Sequence, residues 1–191
     1  MKIVITENQL KGVIDTELGE IAIKKKRKLG AGMYHNVYES NRYPDRVFKV
    51  GEEDSVRQAY GYFMNYPYLF PKVYRYSKLG DQKSHKGEDI YYLMLEKLDT
   101  NSFVRFFKKL NEVSGDVVQR HIMPISINFN ESQEEWGKIL DYLETKDKTF
   151  YEKTLEFFTL LRELNEIYDM PDVHIGQFGY DKDGALKCLD F

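Results

Sequence analysis

Three clusters in this 191-residue chain have residue types and spacing suited to phosphate and metal chemistry. Gly30-Ala31-Gly32 lies between two β-rich runs. Glycines there let the backbone approach a ligand and turn N–H groups toward a phosphate, although a plain tight hairpin uses glycine too. Lys49 sits inside the apolar run Arg46-Val47-Phe48-Lys49-Val50. Side chains alternate along a strand, so Lys49 shares a face with Val47, and an amine buried there demands an anionic partner. The third cluster is Asp172-Val173-His174-Ile175-Gly176-Gln177, with Asp190 following after a turn marked by Asp183-Gly184. That order places Asp172, Gln177 and Asp190 at the ends of adjacent short strands. Two carboxylates and an amide oxygen converging there can hold magnesium and a nucleotide phosphate.

The elements that must position these groups change character near residue 100. The first half is dense in β-branched and aromatic residues in short runs, and the second half carries longer helical spacing, an α+β ordering. Strands are predicted over 20–29, 34–40, 45–50, 72–78 and 90–98, with a polar hairpin loop over 80–89. A helix is predicted over 54–65, capped by Asp54 or Ser55 and stopped by Pro67. A capping box, Thr6 to Gln9, opens a further short helix. Phe103, Phe106, Phe107 and Leu110 give helical spacing, as do Trp136, Ile139, Leu140 and Leu143. The longest such stripe, over 153–168, is Leu155, Phe158, Leu161, Leu164 and Ile167.

Composition narrows the class. Hydrophobic residues make up 42% and charged residues 31%, which suits a globular chain rather than a disordered one. The single cysteine, Cys188, excludes an intrachain disulfide and reads as an inert core thiol. No apolar run reaches the roughly 18 residues of a membrane span, and the opening residues carry no signal-peptide core. A cytoplasmic protein without a membrane partner is the expectation. The net charge of −3 argues against nucleic acid as a partner, and the cationic run Lys24 to Lys28 reads as a solvated edge strand. The four histidines show no metal-ligand spacing. The tyrosines between Tyr60 and Tyr76 read as half-buried core lining.

Taken in order, the motifs resemble the protein-kinase-like fold, closest to its aminoglycoside and choline kinase-like branch, over roughly residues 20 to 191. Asp172-Val173-His174-Ile175-Gly176-Gln177 resembles the branch's catalytic loop Asp-Leu-His-x-Gly-Asn. Gly30-x-Gly32-x-x-His35-x-Val37-Tyr38 resembles the glycine loop, with His35 in place of the third glycine. Lys49 matches the strand lysine that pairs with nucleotide phosphates. Leu93 to Leu98 resembles the hinge, where backbone groups of Glu96 to Leu98 would read adenine, and Leu189-Asp190-Phe191 resembles the start of Asp-Phe-Gly. The resemblance implies a two-lobed fold: an N-terminal arm and antiparallel β lobe over 1–98 and a reduced helical lobe over 99–191. It implies ATP and magnesium as cofactors. Asp172 and Lys49 would be catalytic, Gly30, Gly32, Val37, Lys49, Glu96 and Leu98 would bind the nucleotide, and Gln177 and Asp190 would bind the metal.

Four departures shape the expected function. Gln177 replaces the family's asparagine and sets its amide oxygen one methylene further out, where magnesium tolerates little error. Gln58 occupies the helical position expected to face Lys49, where the family has glutamate. Met170-Pro171, not His-Arg, precedes Asp172. The sequence ends at Phe191 without an activation segment, so peptide docking of the protein-kinase type is not expected. The leading expectation is a phosphotransferase of impaired or specialised activity on a small-molecule acceptor. The alternative is a pseudokinase interaction or structural module, with a protein partner or self-association over the reduced C-lobe. The first ten residues also resemble openings of some large tailed-phage proteins, which adds host cytoplasm or virion as expected locations.

Overall fold

The computed structural model describes residues 28–31, 35–40, 43–84, 86–114, 129–167 and 175–189. Its described part is α+β, with a five-stranded antiparallel sheet, a two-stranded hairpin and four α-helices. The chain divides into an N-terminal unit ending at Lys97 and a C-terminal unit beginning at Leu98. That is one residue from the boundary expected at 98. The Thr6–Gln9 capping box and residues 20–27 of the first expected strand lie outside the described residues.

In the N-terminal unit, β1 (Lys28–Ala31), β2 (His35–Glu39) and β3 (Arg46–Glu52) lead into helix α1 (Glu53–Asn65), followed by β4 (Val73–Lys83) and β5 (Asp89–Glu96). The sheet order is β1-β2-β3-β5-β4, and every neighbouring pair is antiparallel. Val47, Phe48, Lys49 and Val50 are all buried, so β3 is covered on both faces. One face carries a core of Tyr38, Phe48, Val50, Tyr92 and Met94, with Leu79 and Ile90 toward its far end. Tyr38, Phe48 and Met94 stand in register across three strands, the cross-strand contact that stabilises a sheet. The opposite face takes the apolar stripe of α1, whose buried residues are Val56, Ala59 and Phe63.

Helix α1 begins one residue earlier than expected. Its N-cap is Glu52, extended at φ −68° and without a side-chain cap, and Ser55 Oγ donates to the Glu52 carbonyl (2.9 Å) instead of capping the helix. Glu53 and Asp54 supply the acidic first turn that the helix dipole favours. The helix ends where Tyr66 N–H reaches the Tyr62 carbonyl (2.9 Å) and Pro67, which has no N–H to give, follows. Strand β4 runs five residues past its expected end, because Leu79 is drawn into the core at 1% exposure. The loop expected over 80–89 shrinks to a turn closed by Ser84 N–H to the Glu88 carbonyl (2.8 Å), with Gly87 at φ +85°.

In the C-terminal unit, α2 (Thr100–Ser114), α3 (Phe129–Lys146) and α4 (Lys148–Ile167) precede a 3-10 turn (Ile175–Gln177), then β6 (Phe178–Tyr180) and β7 (Leu186–Cys188). Asp99 caps α2, accepting from Ser102 N–H at 3.0 Å and from the Ser102 hydroxyl. Asp147 separates α3 from α4 and accepts from Phe150 N–H at 3.0 Å, so α4 starts five residues before the expected Lys153. Phe103, Phe106, Phe107 and Leu110 are buried as their spacing predicts. Phe103, Phe157 and Phe178 form an aromatic centre with ring centroids 5.3–5.6 Å apart, and Trp136 stacks on Phe158 at 4.2 Å. Cys188 is fully buried, as a core thiol should be. The expected turn closes the β6–β7 hairpin, with Gly184 at φ +87° and Asp181 Oδ1 accepting from the Asp183 and Ala185 amides. Among the described residues no helix is long and apolar enough to cross a membrane.

Candidate functional site

The N-terminal unit's contribution is built on a single line across its sheet. Gly30 on β1 pairs with Val37 on β2, Val37 with Lys49 on β3, and Lys49 with Leu93 on β5. Residues paired in this way point to the same face, so Lys49 lies on the α1 side of the sheet beside Val37 and Leu93. Gly30 and Ala31 belong to β1 itself, where the sequence suggested a connecting turn. Gly32 lies outside the described residues. The Lys49 side chain is 1% exposed, so its amine is inward, as the anion-pairing expectation requires.

The group that α1 sets against this amine is Phe63. Lys49 Nζ stands 5.5 Å from the Phe63 ring centroid, within the range of a cation–π contact. Gln58, expected to face Lys49, does not do so; its side chain is exposed. The reason is helical phase. At about 100° per residue, the five positions from 58 to 63 turn the helix by roughly 140° beyond a full circle, so Gln58 and Phe63 cannot share a face. Gln58 instead lines an open groove of about 560 Å³ with Asp54, Arg57, Gly61, Tyr62 and Asn65. On the same side of the sheet as Lys49, Tyr60 of α1 stacks on Tyr76 (4.7 Å), and Tyr76 on Tyr91 (5.4 Å). Burial, reinforced by the neighbouring Tyr91 and Glu53, pushes the Tyr76 phenol above its ordinary range.

At the end of β5, two of the amides expected to form a hinge have internal partners. Glu96 N–H donates to the Lys72 carbonyl and Lys97 N–H to the Asp45 carbonyl, each at 2.9 Å. Glu96 is buried, and the Lys97 side chain pairs with Glu39 at 2.6 Å. Adenine recognition through the amides of Glu96 and Lys97 would have to displace these bonds.

In the C-terminal unit, Gln177 ends the 3-10 turn and is 7% exposed. Its carbonyl accepts from Leu189 N–H at 2.6 Å, so the start of β6 and the residue after β7 are held side by side. Phe178 pairs with Cys188 in the same register. Gln177 stands just before β6, and Asp172 and Asp190 lie outside the described residues. Gln177 is one neutral oxygen donor. Among the described residues no cluster of three or more His, Cys, Asp or Glu side chains is arranged to hold a metal. Leu98 is buried and packs its Cβ toward Gly179, where an added Cβ would meet it at 2.8 Å. Tyr180, next along β6, pairs its backbone with Asp99. Burial and then the Glu156 carboxylate push its phenol up to about 12, so it stays protonated at any ordinary pH.

Phe63 is the residue that sequence reasoning missed. Its signal is the helical stripe Val56, Ala59, Phe63, which marks it as core but gives no hint that its ring meets an amine. No protein-family model matches this chain, and no curated protein matches it either.

Proposed function

We propose that this chain is a kinase-like, nucleotide-binding protein whose phosphotransfer activity is impaired or specialised, acting on a small-molecule acceptor. The observation that carries this proposal is Lys49: an amine 1% exposed on β3, in register through Val37 with Gly30. The lysine that the resemblance assigns to nucleotide phosphates is thus held inside the sheet, on the line that also carries Gly30 and Val37, and this placement favours an anionic ligand. The sheet order β1-β2-β3-β5-β4 with a helix between β3 and β4, and a short turn leading into the β6–β7 hairpin, support the same resemblance. In this proposal Lys49 holds phosphate oxygens, the backbone near Gly30 and Gly32 lies along the phosphates, and Val37 and the Glu96–Leu98 backbone flank the base. Asp172 orients the acceptor hydroxyl and takes its proton. Gln177 and Asp190 would hold magnesium, which, when bound, neutralises charge on the transferring phosphoryl group.

One observation favours the second reading, a nucleotide-binding interaction module without catalysis. Helix α1 brings Phe63, not a carboxylate, to the Lys49 amine, and Gln58 faces away. Such a module would act through a protein partner or self-association, in a host cytoplasm or a virion.

Thermal unfolding with ATP, with and without magnesium, tests both. Saturation near 100 times Kd stabilises a protein by about 2.7 kcal/mol, or about 5–10 °C for a chain of this size. A magnesium-dependent rise is expected from the phosphotransferase. A rise indifferent to magnesium selects the interaction module. No rise with either would refute nucleotide binding.

A further inference from the structure

We propose that Phe63 is a positioning residue for the Lys49 amine, fixing its direction through an aromatic face that leaves the ammonium charged. Lysine has a flexible four-carbon stem, and an amine that must meet a ligand at one point needs something to hold it there. The Phe63 ring is well built for this. It is 1% exposed and stacks on Phe70, itself fully buried, at 4.8 Å and 14° between planes. Phe70 thereby fixes the ring plane, and the ring holds the cation 5.5 Å from its centroid. A carboxylate in that place would neutralise the amine as it oriented it. A phenyl ring attracts the cation through its quadrupole and carries no net charge, so the contact orients the ammonium without neutralising it. The Phe70–Phe63–Lys49 stack belongs entirely to the N-terminal unit.

The inference deepens the nucleotide proposal and rests on it only for the identity of the anion; the orientation itself is tested without any ligand. In the wild-type protein labelled with ¹³C-lysine, the Lys49 ε-methylene protons are expected upfield of the other lysines, shifted by the Phe63 ring current, and to cross-relax with its ring protons. Lys49→Met assigns the signal by its loss. Phe63→Leu keeps apolar volume but removes the ring; the shift should vanish and the Kd for ATP rise roughly two- to thirtyfold, the span of a cation–π contact. Phe63→Tyr, which keeps an aromatic ring, should retain both the shift and the affinity. An unshifted wild-type Lys49 signal without cross-relaxation overturns the proposal, and that measurement needs no variant to fold. Equal weakening of ATP binding in Phe63→Leu and Phe63→Tyr overturns it too. A shifted signal in a protein that shows no affinity for ATP supports the positioning and removes the nucleotide proposal instead.

Discussion

Gly179 shows how tightly single residues are constrained in the C-terminal unit. A Cβ there would lie 2.8 Å from Leu98 Cβ and 3.3 Å from backbone atoms of Asp99 and Thr100. None of these is the loose end of a side chain, so β6 or the start of α2 must shift. Gly179→Ala is expected to cost about 1–3 kcal/mol as an overpacked site, read as a lower urea midpoint; an unchanged midpoint would contradict the close approach. Asp99, the residue just before α2, is a second such point. Its carboxyl is held below the usual aspartate range, first by the Ser102 hydroxyl and then by the Ser102 amide. Because its folded value is depressed, the cap's stabilisation is present above the unfolded value near 4 and fades as pH falls through the folded one. Asp99→Ala is expected to cost about 1 kcal/mol at pH 7. Its difference from wild type should narrow in melts taken at progressively lower pH below about 4. In the sequence Gly179 is one glycine among 13. Sequence cannot show what a glycine lies against. Lys49 is the converse case. Its type and its apolar strand were legible, but alternation could not decide its direction, because β3 is buried on both faces.

At the scale of elements, periodicity performed well where one face alone is covered and poorly in phase. All four members of the α2 stripe are buried. On α4 three members of the expected stripe, Phe158, Leu161 and Leu164, are buried, but Leu155 at its start is 41% exposed, and Phe150, Thr154, Phe157 and Leu160 complete the buried face. Thr154 can be buried there because its hydroxyl is satisfied on the Phe150 carbonyl at 2.8 Å. The consequence is a sharp contrast. Leu155→Glu should change stability by no more than about 0.5 kcal/mol, whereas Leu161→Ala, at 2% exposure, should cost about 2–5 kcal/mol. Equal effects in denaturant melts would put the α4 face elsewhere. Gln58 is a matter of phase. The segment is a helix as expected, but which of its residues meets Lys49 depends on how the helix is turned on the sheet, and each position rotates the contact by about 100°.

For the whole molecule, the sequence carried the order of elements further than the site. Strands, helices and the break near residue 98 follow from local pattern. The sharing of one ligand by Lys49 and Gln177, which the nucleotide proposal requires, does not, because these residues are 128 positions apart and belong to different units. A double-mutant cycle on ATP affinity in the presence of magnesium addresses that requirement directly. Lys49→Met removes the ammonium, and Gln177→Ala removes a carboxamide whose backbone carbonyl still serves Leu189. If both side chains act on one nucleotide, the losses should depart from additivity by about 0.5 kcal/mol or more, as groups sharing a partner do. Independent sites should add to within about 0.3–0.5 kcal/mol. Additive losses would separate the buried amine of the N-terminal unit from the metal role given to Gln177. Nucleotide binding would then rest on Lys49 and its aromatic support, and phosphotransfer would lose one of its two proposed metal ligands.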